Sequence, residues 1–143
     1  MAQWFETSVT YAKRMEDGSE KRVTEKYLFD ALSFTEAEAR TTEERKPYIS
    51  GDFVVKSCKR TNIAEIFWCD GADKNYLAKV AFIEINERTG VEKTHIQQFL
   101  VQANNFKHAY DNFIGGMRGT MADYELLSLA ETPILEVYEA KIS

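Results

Sequence analysis

The sequence repeats itself, and this repetition limits the possible folds more than any other feature. Tyr27–Ala37 returns as Phe99–Ala109, and each stretch runs from an apolar strand pattern into the start of a helix. In the same register Trp4 is aligned with Tyr76. After the helix start one residue is lost, and the later strands of the two copies then match as well. The pattern predicts a tandem duplication of one ββαββ unit.

Local patterns predict the elements of each copy. Ser33 and Glu36 form a capping-box pattern, which predicts a helix that ends before Pro47. Asn105 is the predicted cap of the second helix, which has one apolar stripe and stops at Gly119. Alternating hydrophobicity predicts strands over residues 4–13, 23–31, 53–59, 63–68, 76–85, 94–103, 123–130 and 134–140.

These elements predict an α+β protein in which one or two antiparallel sheets are covered by two helices related by a pseudo-twofold axis. The chain has 143 residues, of which 44% are hydrophobic, and this is enough for one well-packed core. We therefore expect a single domain made of two repeats, about 4–69 and about 76–140.

Composition favours a cytoplasmic protein. The net charge is −5, and no strongly basic or acidic tail stands out. The sequence contains no apolar run long enough for a membrane span, and its start lacks the pattern of a secretory leader. Cys58 and Cys69 lie in apolar strand patterns and form no CxxC motif, so we expect buried free thiols.

Motifs for catalysis, metals or cofactors are weak. His95 and His108 have no partner at a metal-ligand spacing, and Asp70 and Asp73 lack the distal glutamate of a calcium loop. The glycine-rich stretch 115–120 follows a helix instead of preceding one, and it has no Walker lysine. The sequence therefore predicts a non-catalytic protein with no cofactor and no metal.

A surface for single-stranded nucleic acid is the remaining candidate site. Basic side chains interleaved with aromatic rings are suited to tracking a phosphate backbone and stacking bases. Acidic residues such as Glu16 and Glu20 dilute the charge of the first hairpin, so a solvated hairpin is the simpler interpretation of its charges. The candidate residues are Trp4, Lys13, Arg14, Lys21, Arg22, Lys56, Lys59, Arg60, Trp68 and Tyr76.

Several segments of the sequence resemble a domain-of-unknown-function family of small proteins from Bacteroides-type bacteria and their phages. They cover most of the chain and consist of Trp4–Glu6, Asp30–Arg40, Pro47–Gly51, Gly119–Tyr124 and Glu131–Ile134. The resemblance implies a cytosolic protein of bacterial or phage origin. It brings no known activity and no functional residue.

A weaker similarity is topological. From Phe53 onward four predicted strands precede the second helix, which is similar to the four-strands-then-helix unit of the PUR and Whirly single-strand-binding folds.

The alternative function is a protein-interaction module that docks a partner, or a second copy of itself, through a sheet edge or face. Binding through phosphate contacts would weaken steeply with salt, whereas an apolar protein interface would not.

Overall fold

A computed structural model describes residues 3–139 and has an α+β fold with two helices and two four-stranded sheets. This confirms the predicted fold class, and the predicted strands and helices lie close to their expected bounds. Position 140, the end of the last predicted strand, lies outside the described residues. In chain order the elements are β1 Gln3–Arg14, β2 Glu20–Ala31, α1 Phe34–Arg45, a 3₁₀ turn Lys46–Tyr48, β3 Phe53–Arg60, β4 Ile63–Phe67, β5 Lys74–Ile85, β6 Glu92–Ala103, α2 Phe106–Gly116, β7 Asp123–Glu131 and β8 Ile134–Tyr138.

These elements form two compact units with the same plan. The second unit is Asn62–Thr132, and the first contains β1, β2, α1, β3 and β8. The sheet of the first unit has the strand order β3-β1-β2-β8, and that of the second unit has the order β4-β6-β5-β7. In each sheet three strands are antiparallel, while β8 beside β2 and β4 beside β6 run parallel to their neighbours.

The compact units are therefore not the repeats seen in the sequence. The last strand of each repeat, β4 or β8, lies in the sheet of the other unit. Hydrophobic periodicity identifies a strand but not the strand beside it. The expected antiparallel arrangement holds for the other three strands of each sheet, whereas β4 and β8 are parallel to their neighbours. That the two units share one core as a single domain stays a prediction.

The strand register corrects one part of the sequence alignment. Phe5 lies opposite Phe29 and Arg60, and the residue in the equivalent place of the second unit is Tyr76, opposite Val101 and Glu131. The alignment of Trp4 with Tyr76 is thus wrong by one residue. The cause is the hairpin turn, which spans residues 15–19 in the first unit and one residue more, 86–91, in the second.

Both helices begin with the same reciprocal cap. Ser33 Oγ accepts a hydrogen bond from the amide of Glu36, and Glu36 Oε2 accepts one from the amide of Leu32. This confirms the predicted pairing of Ser33 with Glu36, except that the carboxylate accepts from the amide of Leu32 and not from that of the cap residue. In α2 the side chain of Asn105 accepts a hydrogen bond from the amide of His108. The ring Nδ1 of His108 in turn accepts one from the amide of Asn104. His108 therefore has a structural role in capping α2.

The core of the second unit is almost entirely apolar. Helix α2 places Ala109 and Phe113 against the sheet, and Phe67 stacks on Phe99 at 5.3 Å between ring centroids. Helix α2 ends at Gly116, three residues before the predicted stop, and Gly119 has positive φ (85°) in the turn that follows. Gly116 has a different role, because a Cβ there would lie 2.7 Å from the ring of Phe67.

We therefore expect Gly116→Ala to destabilise the protein by about 1–3 kcal/mol, the usual cost of overpacking. Phe67 cannot retreat easily, because its ring is also packed near that of Phe113. Gly115→Ala is the matched control, since a Cβ there meets nothing within 4 Å. Its expected effect is a small gain in stability, because Ala is the better helix former. Urea unfolding followed by circular dichroism measures both, and equal stabilities of the two variants would contradict this packing argument.

Candidate functional site

The structure divides the ten predicted binding residues between the two units. Trp68 and Tyr76 lie in Asn62–Thr132, and the other eight lie in the first unit. Tyr76 is only 3% exposed, so its ring is not available to stack on a base. Trp68 is 48% exposed and Trp4 is half-buried.

The basic residues of the first unit do not form one continuous face. Residues directly opposite each other in antiparallel strands share a face. The face that α1 covers carries Lys13, Lys21 and Arg60. The opposite face carries Arg14, Arg22 and Lys59.

Strand β3 nevertheless brings three of these cations together along one edge of its sheet. Lys59 and Arg60 are its last two residues, and Lys56 is the extra residue of a β-bulge between Val55 and Ser57. All three side chains are exposed. Because an edge strand has a neighbour on one side only, side chains from both of its faces can reach a ligand that lies along the rim.

An exposed aromatic ring completes this rim. Phe34, the first residue of α1, is 48% exposed and packs edge-on against buried Phe5, with 5.1 Å between ring centroids. The guanidinium of Arg60 lies over the Phe34 ring at 5.4 Å and over the Phe5 ring at 5.7 Å. This geometry holds a cation beside an open aromatic surface. We call Phe34, Lys56, Lys59 and Arg60 the β3 rim.

The second unit has the ring without the cation. Phe106 is 58% exposed and packs edge-on against Tyr76, as Phe34 does against Phe5. The place of Arg60 is taken by Glu131, whose carboxylate lies 3.6 Å from Lys74 Nζ. Only the first unit therefore combines the exposed ring with a guanidinium.

Sequence analysis missed Phe34 as a site residue because it was assigned only to the helix start. A signal for it was present. Phe34 and Phe106 recur at the first position of the two helices, where each ring touches the sheet yet stays about half exposed.

A second polar cluster lies beneath the C-terminal end of α1. Arg45 Nη1 donates to the Tyr138 hydroxyl at 2.8 Å, and this hydroxyl donates to Glu136 Oε2 at 2.6 Å. The guanidinium of Arg45 also lies between two rings, 4.4 Å from the centroid of Tyr27 and 4.8 Å from that of Tyr48.

Burial changes the acidity of this cluster. Loss of solvent, reinforced by the hydrogen bond to Glu136 and opposed by Arg45, raises the pKa of Tyr138 to about 12. Burial and a hydrogen bond to Glu25 also raise the pKa of Tyr27. Tyr138 stacks on Phe29 with centroids 4.5 Å apart, so we interpret the cluster as part of the core of the first unit.

Other sequence candidates have local partners or stand apart. His95 Nε2 lies 3.5 Å from a carboxylate oxygen of Glu84. Cys58 and Cys69 are free but half-buried, and burial raises the pKa of the Cys58 thiol. Among residues 3–139 no three His, Cys, Asp or Glu side chains are grouped as metal ligands would be.

Neither described helix is long and apolar enough to cross a membrane.

Comparison with protein families gives one match that covers residues 3–140, to a family described as Domain of unknown function (DUF4494). The chain belongs to this family. The match spans both units and includes every residue of the β3 rim. None of the curated proteins compared with the chain matches it.

We expect the polar cluster beneath α1 to make the stability of the protein decrease at alkaline pH. An unfolded tyrosine titrates near pH 10, and Tyr138 in the folded chain titrates at about 12. Its contribution to stability is therefore complete below pH ~10 and is lost as the pH rises through ~12. Tyr138→Phe should flatten this alkaline decline in the free energy of unfolding.

Denaturant unfolding at a series of pH values measures the effect. Tyr110→Phe is the control, because Tyr110 is exposed on α2 and should leave the alkaline decline unchanged. An identical decline in wild type and in Tyr138→Phe would contradict the assignment.

Proposed function

We propose that this protein is a non-catalytic module that binds single-stranded nucleic acid through the β3 rim. The observation that carries the proposal is the guanidinium of Arg60 over the exposed ring of Phe34. The open part of the ring would stack on a base, while Arg60 and the two lysines would contact phosphates.

The charge around the rim supports this proposal. Within residues 3–139, Lys56 and Lys59 form no ion pair, and Glu6, which lies opposite Lys59, is paired with Lys26 at 3.3 Å. Strand β3 contains no acidic residue. The negative net charge of the whole chain would oppose binding of any nucleic acid by bulk charge, so binding would depend on the local cations. A preference for single strands would come from stacking, because only unpaired bases can stack on the ring.

A protein-interaction module is the second candidate function. It is favoured by the strand order, because β3 and β7 each end a sheet and have one neighbouring strand in the described part of the chain. An extended segment of a partner could add to either edge through backbone hydrogen bonds.

We further propose that the two sequence repeats arose by tandem duplication, in a cytoplasmic protein of bacterial or phage origin. Supporting observations are the equivalent strand orders, the matching helix caps and a bulge at the same place in β3 and β7.

The test of nucleic-acid binding is fluorescence anisotropy of a labelled oligonucleotide, single-stranded and duplex, at low and at moderate salt. We expect salt-sensitive binding of the single strand. Phe34→Ala should weaken binding about tenfold, because one base stack contributes about 1–3 kcal/mol. Arg60→Gln should remove one phosphate contact and so reduce the slope of log affinity against log salt concentration by about one.

Phe106→Ala is the matched control, since it removes the equivalent exposed ring from the unit that has no guanidinium beside it. It should leave affinity almost unchanged. Thermal unfolding of each variant checks that Phe34→Ala has not loosened the packing on Phe5. Absence of binding at low salt would overturn the proposal, as would equal losses in the two phenylalanine variants.

A further inference from the structure

Strands β3 and β7, each at one end of its sheet, carry opposite charge. Strand β3 contains three basic residues and no acidic one, and β7 contains Asp123, Glu125 and Glu131 and no basic one. The two strands occupy equivalent places, because within residues 3–139 each pairs with the first strand of its hairpin and with no other strand. The two strands therefore have the same place in the sheet topology and differ in the charge of their side chains.

Both edges are open to a further strand. An edge strand presents unpaired amide and carbonyl groups on its outer side. The two strands are similar in length, with eight residues in β3 and nine in β7. Each also exposes an apolar side chain, Val54 in β3 and Leu127 in β7.

Charge decides which edges can pair. Two β3 edges would bring lysines together, and two β7 edges would bring carboxylates together, so both like pairings are disfavoured. A β3 edge against a β7 edge brings opposite charges together. Every copy of the chain carries one edge of each kind.

We propose that a second copy of this chain docks its β7 edge along β3, so that copies associate head to tail. The charges favour an antiparallel arrangement. Two of the three cations, Lys59 and Arg60, lie at the C-terminal end of β3, and Asp123 and Glu125 lie at the N-terminal end of β7. Antiparallel pairing sets these two ends opposite each other, whereas parallel pairing would set the cations against Glu131, which already has Lys74 as a partner.

Sedimentation velocity of the full chain without nucleic acid, over a wide range of protein concentration and at two salt concentrations, tests this proposal. We expect the mass to rise above that of the monomer with concentration, and more so at low salt. The variant Lys56→Glu with Lys59→Glu should remain monomeric, and so should Asp123→Lys with Glu125→Lys. A chain that carries all four substitutions should regain association, because its edges are again opposite in charge.

Lys13→Glu with Lys21→Glu is the matched control. It makes the same change in net charge at exposed positions of the β1–β2 hairpin, away from β3, and should associate as the wild type does. A wild-type chain that stays monomeric at high concentration and low salt would overturn the proposal. Association that survives both edge reversals, or that the four-fold variant fails to regain, would overturn it as well.

Discussion

The long hairpins set the arrangement of everything else in this protein. Strands β1 and β2 pair without interruption over the full twelve residues of each, and β5 and β6 do the same. Because side chains alternate between faces, this register decides which residues lie beneath the helix. It places Phe5 under α1 and Tyr76 under α2. The positions of the β3 and β7 residues then follow from their pairing with β1 and β5.

On this common frame the two units fill the space beneath the helix differently. The second unit uses Phe67, Phe99 and Met117, whose side chains need no polar partner. In the equivalent places the first unit has Tyr138, Tyr27 and Arg45, joined by hydrogen bonds and ring contacts. A guanidinium that is largely withdrawn from solvent, as that of Arg45 is, requires such partners, since its desolvation is otherwise costly. The first unit therefore depends on a polar network where the second depends on apolar packing.

The sheet edges differ in the same way. Equivalent strands carry lysines and arginine in one unit and carboxylates in the other. A charged edge resists pairing with an identical edge, which protects a sheet from uncontrolled aggregation. In the proposed association, the same charges would also select a complementary edge. Both proposed ligands of β3, a phosphate backbone and an acidic strand, are recognised by the same cations.

Sequence periodicity determined the strands, the helices and their caps, because these depend on side chains a few residues apart. Ser33 and Glu36 lie within one helical turn, and Pro47 excludes a longer helix for a local reason. The place of β4 and β8 was decided only by tertiary structure, since their partners are distant in sequence. So was the site: the predicted cations fall on two faces, and one extra turn residue moves Tyr76 from the expected surface into the core. A strand has a period of two, so a slip of one residue, which an alignment hardly detects, reverses the direction of every side chain.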